Sequence, residues 1–181
     1  MRTPFSAQLA TVSPPERIQA LPKEGRGYPV PFFAAVIKGK PDFRVLDEDK
    51  WLKAVQGRLC SVCGAGLGKQ VAFVGGPRSM ASGFFTDAGM HPECAEYALQ
   101  VCPYLAAPKF GHIETHPSVE AGEARIIAAM HAARPERFGL GITHDYTLAR
   151  LMPANEIVIK AESFTSITWW VNGIKVEATE I

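Results

Sequence analysis

Four side chains in the middle of the chain are spaced as metal ligands. Cys60 and Cys63 are separated by two residues in CSVCG, and His91 and Cys94 are separated by two residues in HPEC. A borderline divalent ion such as zinc prefers four sulfur or nitrogen donors in a tetrahedron, and two such pairs supply them with little strain. The first pair must converge from one tight turn, and Gly64, with Gly66 and Gly68 behind it, permits the positive φ such a turn needs. The second pair opens a helical pattern in which Pro92 suits the first turn, where its missing N–H is no loss. Residues three apart share a helix face, so His91 and Cys94 can point the same way.

The alternative for these residues is a set of ordinary buried thiols, which behave as small hydrophobes. Two pairs of matched spacing, one on a turn and one on a helix start, favour metal instead. An iron–sulfur cluster fits less well, because a histidine stands where a fourth cysteine would be. Cys102 is the spare thiol. It lies about 80° round and about 12 Å along an ideal helix from Cys94, too far for a further ligand, and is read as a core residue.

A turn bearing two ligands, a strand or two, then a helix whose first turn completes the site resembles the treble-clef class of zinc fingers. The wider run of GYPVPFF, KPDFRV, CSVCGAGLG, FVGGP and HPECAEYALQVCPYL resembles an uncharacterised family of small bacterial and phage proteins over residues 26 to 105. That resemblance supports the ligand assignment and implies no reaction.

Other candidate chemistry is weaker. His112 and His116 are four apart, as in helical metal pairs, but Pro117 biases His116 away from helix and no HExxH surrounds them. His144 and Asp145 are adjacent, and adjacent strand residues point to opposite faces, so they do not make a base with its orienting carboxylate. Catalytic zinc keeps an open position, whereas four good ligands make a closed, structural site. The deaminase order, HxE before PCxxC, is reversed here. Treble-clef nucleases need a histidine within the clef, and residues 64 to 90 contain none.

The elements that must position the four ligands follow from the pattern. Residues 1–30 carry five prolines and read as an extended arm, with a short helical turn at 16–20. In GRGYPVPFF, Tyr28, Phe32 and Phe33 near Arg26 suit base stacking, or more commonly pin an arm to a core. Residues 31–181 read as one α+β domain with a zinc-binding core at 58–105: small antiparallel sheets and about three helices around the treble-clef-like site. Strands are expected at 32–38 and 42–46 around a Gly39-Lys40-Pro41 turn, then a helix over 48–57 capped by Asp47, with Trp51, Leu52 and Val55 inward. A strand at 70–74 leads into a tight turn at Gly75-Gly76-Pro77, and Phe84 and Phe85 are expected to pack over the metal. Residues 118–134, capped by Ser118, read as the clearest helix. Strands follow at 138–143, 156–161 and 164–171, with Asn172-Gly173 as a hairpin turn.

The chain has 181 residues, enough for a sizeable core, and four cysteines, three of them assigned to metal. That leaves no disulfide framework, which suits a reducing cytoplasm. No stretch approaches the ~20 apolar residues of a membrane span, and no signal peptide is apparent. The net charge of +1 hides a split, with a balance of +5 over residues 23–80 and −5 over 81–181. Either the basic half faces an acidic partner or the two halves attract each other. The expectation is a non-enzymatic module held by structural Zn2+, in which Lys53, Arg58, Lys69 and Arg78 meet nucleic acid or a protein partner. The competing expectation is an enzyme whose site uses His112, His116, His144 and Asp145, with zinc as scaffold.

Overall fold

The computed structural model describes residues 9–106, 124–126, 135–153 and 155–177. At its centre is a four-stranded antiparallel sheet in the order β10-β9-β6-β3, made of β3 (Val71–Gly75), β6 (Phe138–Thr143), β9 (Ser166–Val171) and β10 (Ile174–Val176). Strand side chains alternate between faces, and the register decides which core each one joins. Ala72 and Val74 share a face with Ile142, Leu140, Phe138 and Trp170. Val71 and Phe73 share the other with Gly141 and Gly139.

The first face carries one hydrophobic core. Helix α4 (Pro92–Val101) lays Cys94, Ala95 and Leu99 on it, and Ile18 from helix α1 (Glu16–Gln19) is buried there at 0 % exposure. Leu9, Val12 and Leu21 pack against the same core. Val30 N–H donates to the Pro22 carbonyl, so residues 22–30 double back on themselves rather than extend. Tyr28 is buried, with the Arg26 guanidinium 5.4 Å from its ring centroid, which matches the pinning role. A one-turn helix, α5 (Pro103–Ala106), follows directly after α4, with Pro103 at its first position.

The second face is covered by helix α2 (Glu48–Gln56), helix α3 (Pro77–Ser82) and a second sheet, β4-β8-β7. Its strands are β4 (Phe84–Phe85), β7 (Tyr146–Leu151) and β8 (Glu156–Ala161). The glycines of β6 make this layer possible. A Cβ on Gly139 would lie 2.5 Å from Met80 Cγ, and one on Gly141 would lie 2.6 Å from the Phe164 ring, so both side chains rest directly on the strand. A third sheet, β1-β2-β5, joins β1 (Ala34–Ile37), β2 (Lys40–Asp47) and β5 (Ala124–Ile126). Its first turn is Lys38-Gly39, both at positive φ, one residue earlier than the expected turn.

Several expectations need correction. The described residues form at least five short helices, more than the three expected. Within the expected helix at 118–134, Ala124–Ile126 is a strand paired with Val45–Asp47; Ser118 and the remainder lie outside the described residues. In that stretch β-sheet pairing overrides a helical apolar period, as tertiary context often does. Asp47 does cap α2, accepting from Lys50 N–H at 3.1 Å, but Leu52 is 41 % exposed and Ala54 takes its inward place. Gly75-Gly76-Pro77 is not a bare turn, because Gly76 caps α3 and Pro77 starts it. Strand β7 follows β6 after two residues and pairs with β8 in the neighbouring sheet, a strand the sequence reading left out. No helix among the described residues is long and apolar enough to cross a membrane.

Candidate metal centre

The first ligand pair sits on a small closed turn. Cys60 N–H donates to the Ala65 carbonyl, Gly64 N–H to the Cys60 carbonyl, and Leu67 N–H to the Arg58 carbonyl, all at 2.7–2.8 Å. Gly64 closes the turn at φ +73°, and a Cβ there would meet the Phe32 ring at 2.9 Å, so both the backbone and the packing demand glycine. Phe32, not Phe84 or Phe85, is therefore the aromatic over this turn. Phe85 is buried in the other core, stacked on Phe73 at 4.9 Å between centroids. Phe84 lies under the Lys160 ammonium.

The second pair is delivered by β3 and α4. Ala72 and Met90 exchange both backbone hydrogen bonds, at 2.8 and 2.9 Å, on the edge of β3 that β6 leaves open. That bridge fixes the next residue, His91, which is the N-cap of α4 with Pro92 behind it. Cys94 then comes from the first turn. The two ligand segments are also tied to each other, since Ser61 N–H donates to the Gly89 carbonyl at 3.0 Å and its hydroxyl to the Ala88 carbonyl at 3.1 Å.

The ligand atoms of Cys60, Cys63, His91 and Cys94 all lie within 4.8 Å of one another. His91 Nδ1 is 3.4 Å from the Cys63 sulfur and 4.0 Å from the Cys94 sulfur. Bond lengths of about 2.3 Å to sulfur and about 2.0 Å to nitrogen give tetrahedral edges of about 3.5–3.8 Å. The four donors thus stand near the positions a bound ion requires, and the cluster can hold one.

The imidazole is oriented for that role. Nε2 is 3.0 Å from the Gly66 carbonyl, which can only accept, so Nε2 carries the proton and Nδ1 presents its lone pair to the sulfurs. Cys60 and Cys94 are fully buried, His91 nearly so, and Cys63 is half-buried. The Cys94 thiol donates to the Cys60 sulfur, and with the backbone N–H groups of Cys63, His91 and Val62 it lowers the Cys60 thiol to about 5 against the cost of burial. Burial raises Cys63, and the hydrogen bond given to Cys60 raises Cys94. One sulfur of the three is thereby favoured as thiolate, the donor form that a cation takes.

The other anticipated residues do not assemble into a second site. Lys53 is exposed on the last turn of α2, Lys69 is exposed just before β3, and Arg78 is exposed on α3 beyond its far end. Five strand residues between Lys69 and Arg78 span about 16 Å. Arg58 is engaged: it pairs with Asp145 at 2.5 Å and lies 4.9 Å from the Tyr146 ring centroid. Asp145 accepts from Tyr146 N–H and from that guanidinium, which in that order hold its carboxyl below the usual range. His144 turns away from it and gives Nδ1 to the Lys69 carbonyl at 3.1 Å. His144 and Asp145 thus form no dyad, as their adjacency implied, and both are exposed. His112 and His116 lie outside the described residues.

Two groups escaped the sequence reading. The Gly66 carbonyl is a backbone group and leaves no signature beyond a glycine-rich run. Asp87 sits in FFTDAGM, where its Oδ1 is buried with no hydrogen-bond donor among the described residues. No protein family, curated protein or solved structure matches the chain.

Proposed function

We propose that the protein is a non-enzymatic binding module held together by a structural zinc ion on Cys60, Cys63, His91 and Cys94, in a treble-clef-like arrangement. The observation that carries this reading is the convergence of three sulfurs and an imidazole nitrogen whose other nitrogen is already committed to the Gly66 carbonyl. Four protein donors leave no position for a reacting water, which argues for scaffold rather than catalyst. Zinc fits the three-sulfur, one-nitrogen set better than the hard cations, which take oxygen ligands.

Nucleic acid is the partner class we assign, because the basic excess falls in residues 23–80, the part that carries the first ligand pair. With Arg58 held by Asp145, Lys53, Lys69 and Arg78 remain for phosphate. If all three contact duplex phosphates, log K falls against log salt with a slope of about −2.7.

Elemental analysis of the purified chain tests the centre, with one zinc per chain expected and Cys94→Ser binding far less. A chain that is metal-free after expression in zinc-supplemented medium overturns the centre. Titration with single- and double-stranded oligonucleotides at low salt tests the partner. Absent affinity there, with zinc bound, removes nucleic acid and leaves an acidic protein surface as the occupant of the same residues.

A further inference from the structure

The three sulfurs of the cluster differ in exposure. Cys60 and Cys94 are buried at 0 %, whereas Cys63 is half-buried at the tip of its turn. None of the four cysteines is in a disulfide, and Cys102 stands outside the cluster at the end of α4. A small oxidant arriving from solvent therefore meets Cys63 before either of its neighbours.

Resting on the zinc reading above, the geometry points to an oxidant-gated centre: hydrogen peroxide joins Cys63 to Cys60 as a disulfide and frees the metal while the fold stays intact. Cys63, a thiolate in the ligand form that zinc would hold, attacks one peroxide oxygen and breaks the O–O bond. Hydroxide leaves, takes a proton and becomes water, and Cys63 is left as the sulfenic acid. The Cys60 thiolate then attacks the Cys63 sulfur and breaks its S–O bond. A second hydroxide leaves and is protonated to water. Two thiolates, one peroxide and two protons thus give one disulfide and two waters, with two electrons passing from sulfur to oxygen.

Cys60 is the resolving thiol because it shares the closed turn with Cys63, its carbonyl bonded to Gly64 N–H at 2.8 Å. Side-chain rotation brings the two sulfurs together, while Cys94 is fixed separately on the start of α4. Only Cys94 and His91 remain as donors afterwards, half of a tetrahedral set. The fold survives because the joints between segments are backbone bonds that involve no sulfur: Ser61 to Gly89, Ala72 to Met90 and Phe32 to Val62.

The test treats the zinc-loaded full chain, and the same chain carrying Cys102→Ser, with hydrogen peroxide. A chromogenic chelator, a thiol titration and peptide mapping are read together. The expected result is stoichiometric release of zinc, loss of two thiols per chain, and one disulfide linking Cys60 to Cys63 in both proteins. A sulfenic-acid trap present from the start should label Cys63 first, and far-UV circular dichroism should be unchanged. Zinc retained at high peroxide with every thiol intact overturns the inference, as does a disulfide to Cys102 or first labelling at Cys60 or Cys94. A chain that carries no zinc before treatment instead overturns the centre itself, and mapping of that chain still shows whether Cys60 and Cys63 pair.

Discussion

Replacing Asp87 with asparagine should stabilise the protein at neutral pH and do nothing in acid. Burial pushes the Asp87 carboxyl up to about 6 from its ordinary 3.8. Its Oδ1 has no donor among the described residues to offset the lost water. Between those two pH values the native chain holds a proton that the unfolded chain has released, so stability falls as pH rises. Well below 3.8 both states are protonated and the group is neutral in its buried place. Above about 6 both are ionised, and the folded state carries the full cost of a buried charge. At about 1.4 kcal/mol per pH unit that cost is about 3 kcal/mol.

Asp87→Asn removes the charge and keeps the shape, so the gain should approach that figure at pH 7 and fall below about 1 kcal/mol at pH 4. Urea unfolding of both proteins between pH 4 and pH 8 measures it. Because both chains carry the same thiols and imidazole, the difference between them cancels the acid-linked loss of metal. A gain that is the same at pH 4 and pH 7, or a loss at pH 7, would refute the reasoning.

Two further substitutions probe what positions the ligands. Gly64→Ala places a Cβ at positive φ and against the Phe32 ring, so it should cost about 1–3 kcal/mol and weaken zinc affinity, read by competition with a chelator. Unchanged affinity would mean that the turn does not set the ligand spacing. Asp47→Ala removes the side-chain acceptor for Lys50 N–H and should cost about 1 kcal/mol in urea unfolding, most of it restored by serine. A cost as large with serine as with alanine would exclude the cap.

What the sequence disclosed was mostly local. The CxxC and HxxC spacings encode the quartet because each pair is placed by one turn of chain, and six strands appear within two residues or so of where the apolar pattern put them. Inward-facing Ala54 was hidden because alanine is too small to mark a stripe, while Leu52 drew the eye by its size. Arg58 looked available for a partner because Asp145, the group that engages it, lies 87 residues away. Ala124–Ile126 carries no strand signature of its own; its edge is supplied by β2. The Gly66 carbonyl that orients His91 and the stranded acid at Asp87 depend on three-dimensional neighbours in the same way.

The bonds from Ser61 to Ala88 and Gly89 have a consequence for how an ion is captured. Many small zinc folds must gather their donors from a loose chain, and the cost of that gathering is deducted from their grip on the metal. Here main-chain joints that involve no ligand atom tie the two halves of the cradle together, Ser61 to Gly89 and Ala72 to Met90, so little of an ion's attraction would be consumed in assembly. A chain built this way should keep its fold when the ion is removed, and slow exchange of the Ser61 and Ala72 amides in chelator-treated protein would be the signature.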